Sequence, residues 1–199
     1  MRPLFTASVL LDLTLDATGF DTVVLTSASS KTAYGLAHLL RRRPVEKVGL
    51  TSAARREWLV GLGLYDTVLT YDNLSELKAS GVAVLVDFAG DPSLAREIHA
   101  RLAGALTRSI LVGFTHGTTN AGDAPHEGPA SEFFFAPDEI VRHGREFARR
   151  YSAAWREFAP IAGRTLRIER ITDDRELERV YRDLLAGRVD PATAYVASL

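Results

Sequence analysis

The residues of this chain best suited to chemistry lie in one short stretch, Ser27-Ala28-Ser29-Ser30-Lys31-Thr32. It stands between an apolar, β-branched run, Thr22-Val23-Val24-Leu25-Thr26, and a helical pattern from about Ala33 to Arg43. A strand that enters a tight turn and leaves as a helix aims backbone N–H groups and a helix N-terminus at one point, a geometry that holds anions. Dinucleotide-binding turns of this type carry glycines for the turn itself, for close approach to pyrophosphate and for strand–helix packing. The positions at that spacing here are Ser27, Ser30 and Ala33, all small and none glycine. A serine at positive φ costs on the order of 1 kcal/mol. Hydroxyls bonding phosphate oxygens would offset that cost, and Lys31 would add a charge-assisted bond of roughly 1.5–3 kcal/mol. Two other readings stay open. Ser30-Lys31-Thr32 resembles the end of a Walker A loop and Val82–Asp87 a Walker B strand, but the loop's two glycines are replaced by Leu25 and Ser30. Alternatively the turn only caps the helix, with Lys31 in solvent.

Composition narrows the chemistry further. A chain of 199 residues, 46% hydrophobic, is long enough to bury the core of one globular domain. The absence of cysteine excludes thiol nucleophiles, disulfides, iron–sulfur sites and Cys-liganded zinc. His38, His99, His116, His126 and His143 lack the spacing of a metal-binding helix, so no metal is expected. A net charge of −1 gives no general pull toward nucleic acid or anionic lipid. No leader pattern and no membrane-spanning run is visible, so the expectation is a cytoplasmic protein with neither partner. Lysine is scarce, with Lys31, Lys47 and Lys78 against 21 arginines, which gives the position of Lys31 added interest.

The elements that must position this turn follow a βαβα rhythm. Strands are expected at Thr22–Thr26, Lys47–Thr51, Thr67–Thr70, Val82–Asp87 and Ser109–Gly113, with helices between them at about 33–43, 55–62, 74–80 and 92–106. This predicts an α/β fold, a Rossmann-like doubly wound, mostly parallel sheet with helices on both faces and ligands beyond the carboxyl ends of the strands. Residues 1–20 read as a lead-in segment, with Leu4–Leu15 allowing an edge element, and 21–199 as the dinucleotide-binding domain. A long loop is expected at about 115–131, followed by a helix from Asp138, its N-cap, to about Phe158. A strand at 165–171, a helix at 175–186 and a last strand at 195–199 complete the pattern.

Three stretches carry a resemblance to a known family. They are Val23 to Ala37, then Val48-Gly49-Leu50-Thr51-Ser52, then Leu62-Gly63-Leu64-Tyr65-Asp66-Thr67-Val68-Leu69-Thr70-Tyr71-Asp72. With the strand ends Asp87-Phe88-Ala89-Gly90 and Val112-Gly113-Phe114-Thr115-His116, the order resembles the cofactor domain of quinone-oxidoreductase-type medium-chain dehydrogenases/reductases. More closely, it resembles an uncharacterised bacterial branch of unknown function sharing the Ser-Ala-Ser-Ser-Lys-Thr loop and the Phe-Phe-Ala-Pro segment. The likeness extends over nearly the whole chain.

The resemblance implies a nicotinamide cofactor across the strand ends. Ser27, Ala28, Ser29, Ser30, Lys31 and Thr32 would line the pyrophosphate. Asp87, Phe88, Ala89 and Gly90 would pass near the nicotinamide ribose, and Gly113, Phe114 and Thr115 would flank the nicotinamide. The second strand ends in Thr51-Ser52 rather than the acid that holds a free ribose 2′-hydroxyl. With Arg55 and Arg56 just beyond, NADP(H) is preferred over NAD(H), although both arginines also read as an ordinary solvated helix start. His116 is the candidate proton donor, or else a loop histidine bonded to backbone. Tyr34 and Tyr71 read as stacking or hydroxyl contacts, or as packing. Phe133-Phe134-Phe135 would cover the cofactor mouth or join a second copy in a homodimer. Relatives carry a substrate domain ahead of the cofactor domain, so the chain reads as a fragment or a natural short form. The function implied is NADP(H)-dependent hydride transfer to a small carbonyl or enone compound. A non-catalytic dinucleotide-binding or dimerisation module, or a P-loop-like NTPase, is the alternative.

Overall fold

A computed structural model describes residues 1–112 and 128–198. Six parallel strands form the main sheet in the order β3-β2-β1-β4-β5-β6. They are β1 (Thr22–Leu25), β2 (Glu46–Thr51), β3 (Thr67–Thr70), β4 (Ala83–Asp87), β5 (Leu106–Leu111) and β6 (Ser131–Phe133). The strand order reverses between β1 and β4, so their carboxyl ends open a crevice at the switch point. The fold is the expected Rossmann-like one.

Burial on both faces explains the unbroken apolar runs of β1 and β4, since successive side chains point to opposite sides. Val23, Leu25, Val84 and Val86 face one core, made with α1 (Arg2–Asp16), α2 (Lys31–Leu40) and α3 (Arg56–Gly61). Val24, Ala83 and Leu85 face the other, closed by Ile98 and Leu102 at α4 (Pro92–Arg101). A third, aromatic cluster joins Phe5 and Tyr34 to Phe158 of α5 (Ala136–Thr165), with Phe5 and Phe158 stacked at 4.4 Å.

Four local expectations are corrected. Leu4–Leu15 is no edge element: it lies in helix α1, where Phe5, Leu10, Leu11 and Leu15 are fully buried. The Phe133–Phe135 run divides, because Phe134, just after β6, enters the core while Phe133 and Phe135 stay half-exposed. Asp138 is not the cap of α5; that position is Phe135, and Pro137 follows it inside the first turn. Helix α5 also continues past Phe158 to Thr165 and is broken at Gly144, φ 42°. Beyond it, β7 (Arg167–Ile171), α6 (Asp174–Leu185) and β8 (Thr193–Ala197) form a βαβ unit with its own two-stranded parallel sheet.

Helices α1 and α2 meet closely at Gly35. A Cβ at Gly35 would lie 2.5 Å from Ser8 Oγ and 3.0 Å from Ser8 Cβ. Ser8 Oγ also donates to the Thr32 carbonyl at 2.8 Å, tying α1 to the first turn of α2. Gly35→Ala will cost about 1–2 kcal/mol, as overpacking of a close helix contact does. Urea unfolding measures it; a loss under about 0.5 kcal/mol would show that the helices part freely.

Candidate functional site

A cleft of about 580 Å³ lies over the carboxyl ends of β1, β2 and β4. Its floor is the turn after β1. Ser27 adopts φ 42°, the one non-glycine residue with positive φ among the described residues, at the place where glycine was expected and missing. Several elements hold this turn. Ala28 N–H donates to the Leu50 carbonyl of β2 at 3.0 Å, and Ser30 N–H to the Ser27 carbonyl at 2.8 Å. The Tyr65 hydroxyl donates to the Ala28 carbonyl at 3.0 Å, and burial pushes the Tyr65 phenol up. Ser27 N–H donates to the Tyr71 hydroxyl oxygen at 2.9 Å. Ser30 then caps α2, its Oγ accepting from Ala33 N–H at 3.2 Å.

The opposite side of the switch point is built by Asp87, at the end of β4. Its Oδ1 accepts from Thr26 Oγ1 at 2.5 Å, from Ala89 N–H at 2.9 Å and from Gly90 N–H at 3.2 Å. Thr26 Oγ1 in turn accepts from the N–H groups of Phe88 and Ala89, at 2.8 and 3.0 Å. Gly90, at φ 65°, closes this strand-end turn in a conformation glycine adopts without strain.

The cleft therefore joins Ser27, Ser29, Ser30 and Lys31 from the first turn, Thr51 at the end of β2 with Ser52 and Arg55 beyond it, and Phe88 and Ala89 from beyond β4. Ala28 and Asp87 are buried beneath it and shape it without lining it, while Thr32 and Gly90 stand outside its lining. Gly113, Phe114, Thr115 and His116 lie outside the described residues. The helix-cap reading of Ser30 holds for its side chain, yet the turn still lines the cleft. Leu25, where a Walker A loop would open with glycine, is the fully buried last residue of β1.

One part of the cleft matches a reading the sequence left open, and one was not expected. Tyr71, just beyond β3, brings its hydroxyl to the turn. The far wall comes from the end of α6 and the loop after it, with Leu184, Leu185, Gly187, Val189, Asp190 and Pro191. Arg55 pins that wall, its Nη2 donating to the Gly187 carbonyl at 2.8 Å and the Val189 carbonyl at 3.5 Å. No local pattern links residues 132 positions apart, so nothing in the sequence pointed to this wall.

The electrostatics of the cleft are cationic on one side. Burial, and next the charge of Arg55, push the Lys31 ammonium below its ordinary value, while Asp190 acts in the opposite sense. Asp190 is itself committed to Arg167, at 2.8 Å, and to Ala192 N–H. Among the described residues neither Lys31 nor Arg55 forms an ion pair with a carboxylate. Two cations that repel one another beside a helix N-terminus form a site whose charge an anion would relieve. Phosphates of a dinucleotide fit this donor set of N-terminal N–H groups, hydroxyls and two cations. Among the described residues no group of three or more His, Asp and Glu could hold a metal ion.

Comparison with known proteins agrees with this architecture. The chain resembles CurA from Vibrio vulnificus, solved in complex with NADPH, at a TM-score of 0.69 and 15% identity, over 100% of this chain and 62% of that one. YhdH of E. coli K-12, with bound NADPH, matches at a TM-score of 0.61 and 16% identity, over 96% and 60% of the two chains. The CurK enoyl reductase matches at 0.69 and 14%, over 98% and 59%. At such identities the likeness is one of fold, and the chain spans about 60% of the length of each structure. No curated protein matches the chain by sequence. The model of a family described as "Protein of unknown function (DUF2855)" matches residues 1–190, and the chain belongs to that family.

Proposed function

We propose that this chain binds NADP(H) in the cleft above β1, β2 and β4 and serves as the cofactor-holding part of an oxidoreductase. The observation that carries the reading is the pair Lys31 and Arg55, neither in an ion pair among the described residues, facing a cleft at the topological switch point. Lys31, Ser29 and the start of α2 would hold the pyrophosphate, and Arg55 with Thr51 and Ser52 a ribose 2′-phosphate. The Phe88–Gly90 turn, held by Thr26 and Asp87, would support the nicotinamide ribose. NADPH supplies a hydride when bound, and a small carbonyl or enone compound is the proposed acceptor. His116 is retained in the proposal as the proton donor to the emerging oxyanion. A homodimer is also part of it, read directly by light scattering.

Titration with NADPH, NADH and ATP, followed by fluorescence and thermal shift, tests the reading. Lys31→Ala is expected to weaken NADPH and NADH alike, by about tenfold, the worth of one charge-assisted bond. Arg55→Ala is expected to weaken NADPH by a similar factor and to leave NADH unchanged, because only NADPH presents a 2′-phosphate. No binding of NADPH at millimolar concentration would overturn the proposal. Nucleotide binding without turnover of carbonyl or enone compounds would support the non-catalytic module instead.

A further inference from the structure

We infer that Tyr71 is the positioning residue of the nucleotide turn, doing through its hydroxyl what glycine does when it stands at this position. Ser27 must hold φ 42° for the chain to pass from β1 into α2, a conformation serine does not favour. The Tyr71 hydroxyl oxygen accepts from the Ser27 N–H at 2.9 Å and lies 3.4 Å from Ser27 Oγ, so one phenol reaches both the backbone N–H and the side-chain oxygen of the strained residue. Tyr71 is itself fixed by the sheet, since it directly follows Thr70, the residue of β3 paired with Thr51 of β2. The turn is therefore built before any ligand arrives, and its first N–H is satisfied within the protein. An anion in the cleft then meets the turn from Ser29 onward.

The role predicts an energetic coupling between positions 27 and 71. Tyr71→Phe removes the hydroxyl and keeps the ring, and Ser27→Gly removes the strain that the hydroxyl counters. The melting temperature without nucleotide and the affinity for NADPH are measured for both single variants and for the double variant. Tyr71→Phe alone is expected to lower the melting temperature and to weaken NADPH about tenfold. In the Ser27→Gly background the same substitution should cost less than about twofold in affinity, with the melting temperature largely restored. Equal penalties in the two backgrounds, or none in either, would overturn the inference, because packing or direct ligand contact by Tyr71 does not depend on the residue at 27. The affinity arm rests on the proposed NADP(H) reading. If the unaltered protein binds no NADPH, that reading fails, and the coupling in ligand-free melting temperature still decides the role of Tyr71.

Discussion

Asp87→Ala will lower the melting temperature by roughly 6–12 °C, corresponding to about 3 kcal/mol in a chain of this size. One carboxyl oxygen of Asp87 accepts from Thr26 Oγ1 and from the N–H groups of Ala89 and Gly90, and Asp87 is only 4% exposed. Alanine strands the Thr26 hydroxyl proton and part of the demand of two backbone N–H groups where water has little access, the costly direction of the hydrogen-bond balance. Asp87→Asn keeps an oxygen at the same place and should recover more than half of the loss. Thr26→Val tests the other half of the clamp. Because the two side chains share partners, their penalties should fall short of additive in the double variant. A melting temperature within about 2 °C of the unaltered protein for Asp87→Ala would show that the strand ends are held by the sheet alone. The clamp joins the ends of β1 and β4 across the switch point, so its loss should also weaken NADPH more than it weakens the fold's secondary structure.

How far this site can be read from sequence depends on the reach of each interaction. The five strands β1 to β5 are legible because burial on two faces leaves continuous apolar runs bounded by turn residues, as at Ala83–Asp87. The Ser27 anomaly is legible too: a small residue where the turn needs a left-handed one predicts the positive φ that the structure has. Helix α1 is not legible, and the reason is physical. It packs against α2 and against α5, and residues 8–15 are buried all the way round, so the 3.6-residue period that marks a surface helix is erased. Strand β6 fails for the opposite reason, as three exposed residues cannot show an alternation. The hold of Arg55 on the Gly187 and Val189 carbonyls joins a helix start to a distant loop through backbone groups that every residue carries. Residue identity therefore marks Arg55 as a candidate cation of the cleft, but not the wall it steadies.

The helix that presents Lys31 carries a buried histidine near its other end. His38 is 2% exposed, its ring edge-on to Phe158 of α5 at 5.0 Å between centroids. Burial, and then the charges of Arg41 and Arg42, push its imidazole from the ordinary 6.5 down to about 4. Both arginines pair with Glu157, the residue before Phe158 on α5, so the ring is surrounded by an aromatic face and a charged latch. The native state thus favours the neutral imidazole. The unfolded chain takes up the proton near 6.5 while the folded chain resists it to about 4, so the contribution of His38 is full above pH 6.5 and is lost as the pH falls toward 4. At about 1.4 kcal/mol per pH unit, that window corresponds to about 3 kcal/mol. Carboxylates titrate in the same range, and a comparison of variants removes them. Unfolding free energies of the unaltered protein and of His38→Leu, measured by urea between pH 7.5 and 4, should converge as the pH falls, because leucine has no proton to bind. His38→Leu will be the less stable at pH 7.5, having lost ring volume against Phe158, and will approach or exceed the unaltered protein near pH 4.5. A constant gap between the two across the range would mean that the imidazole titrates alike in both states.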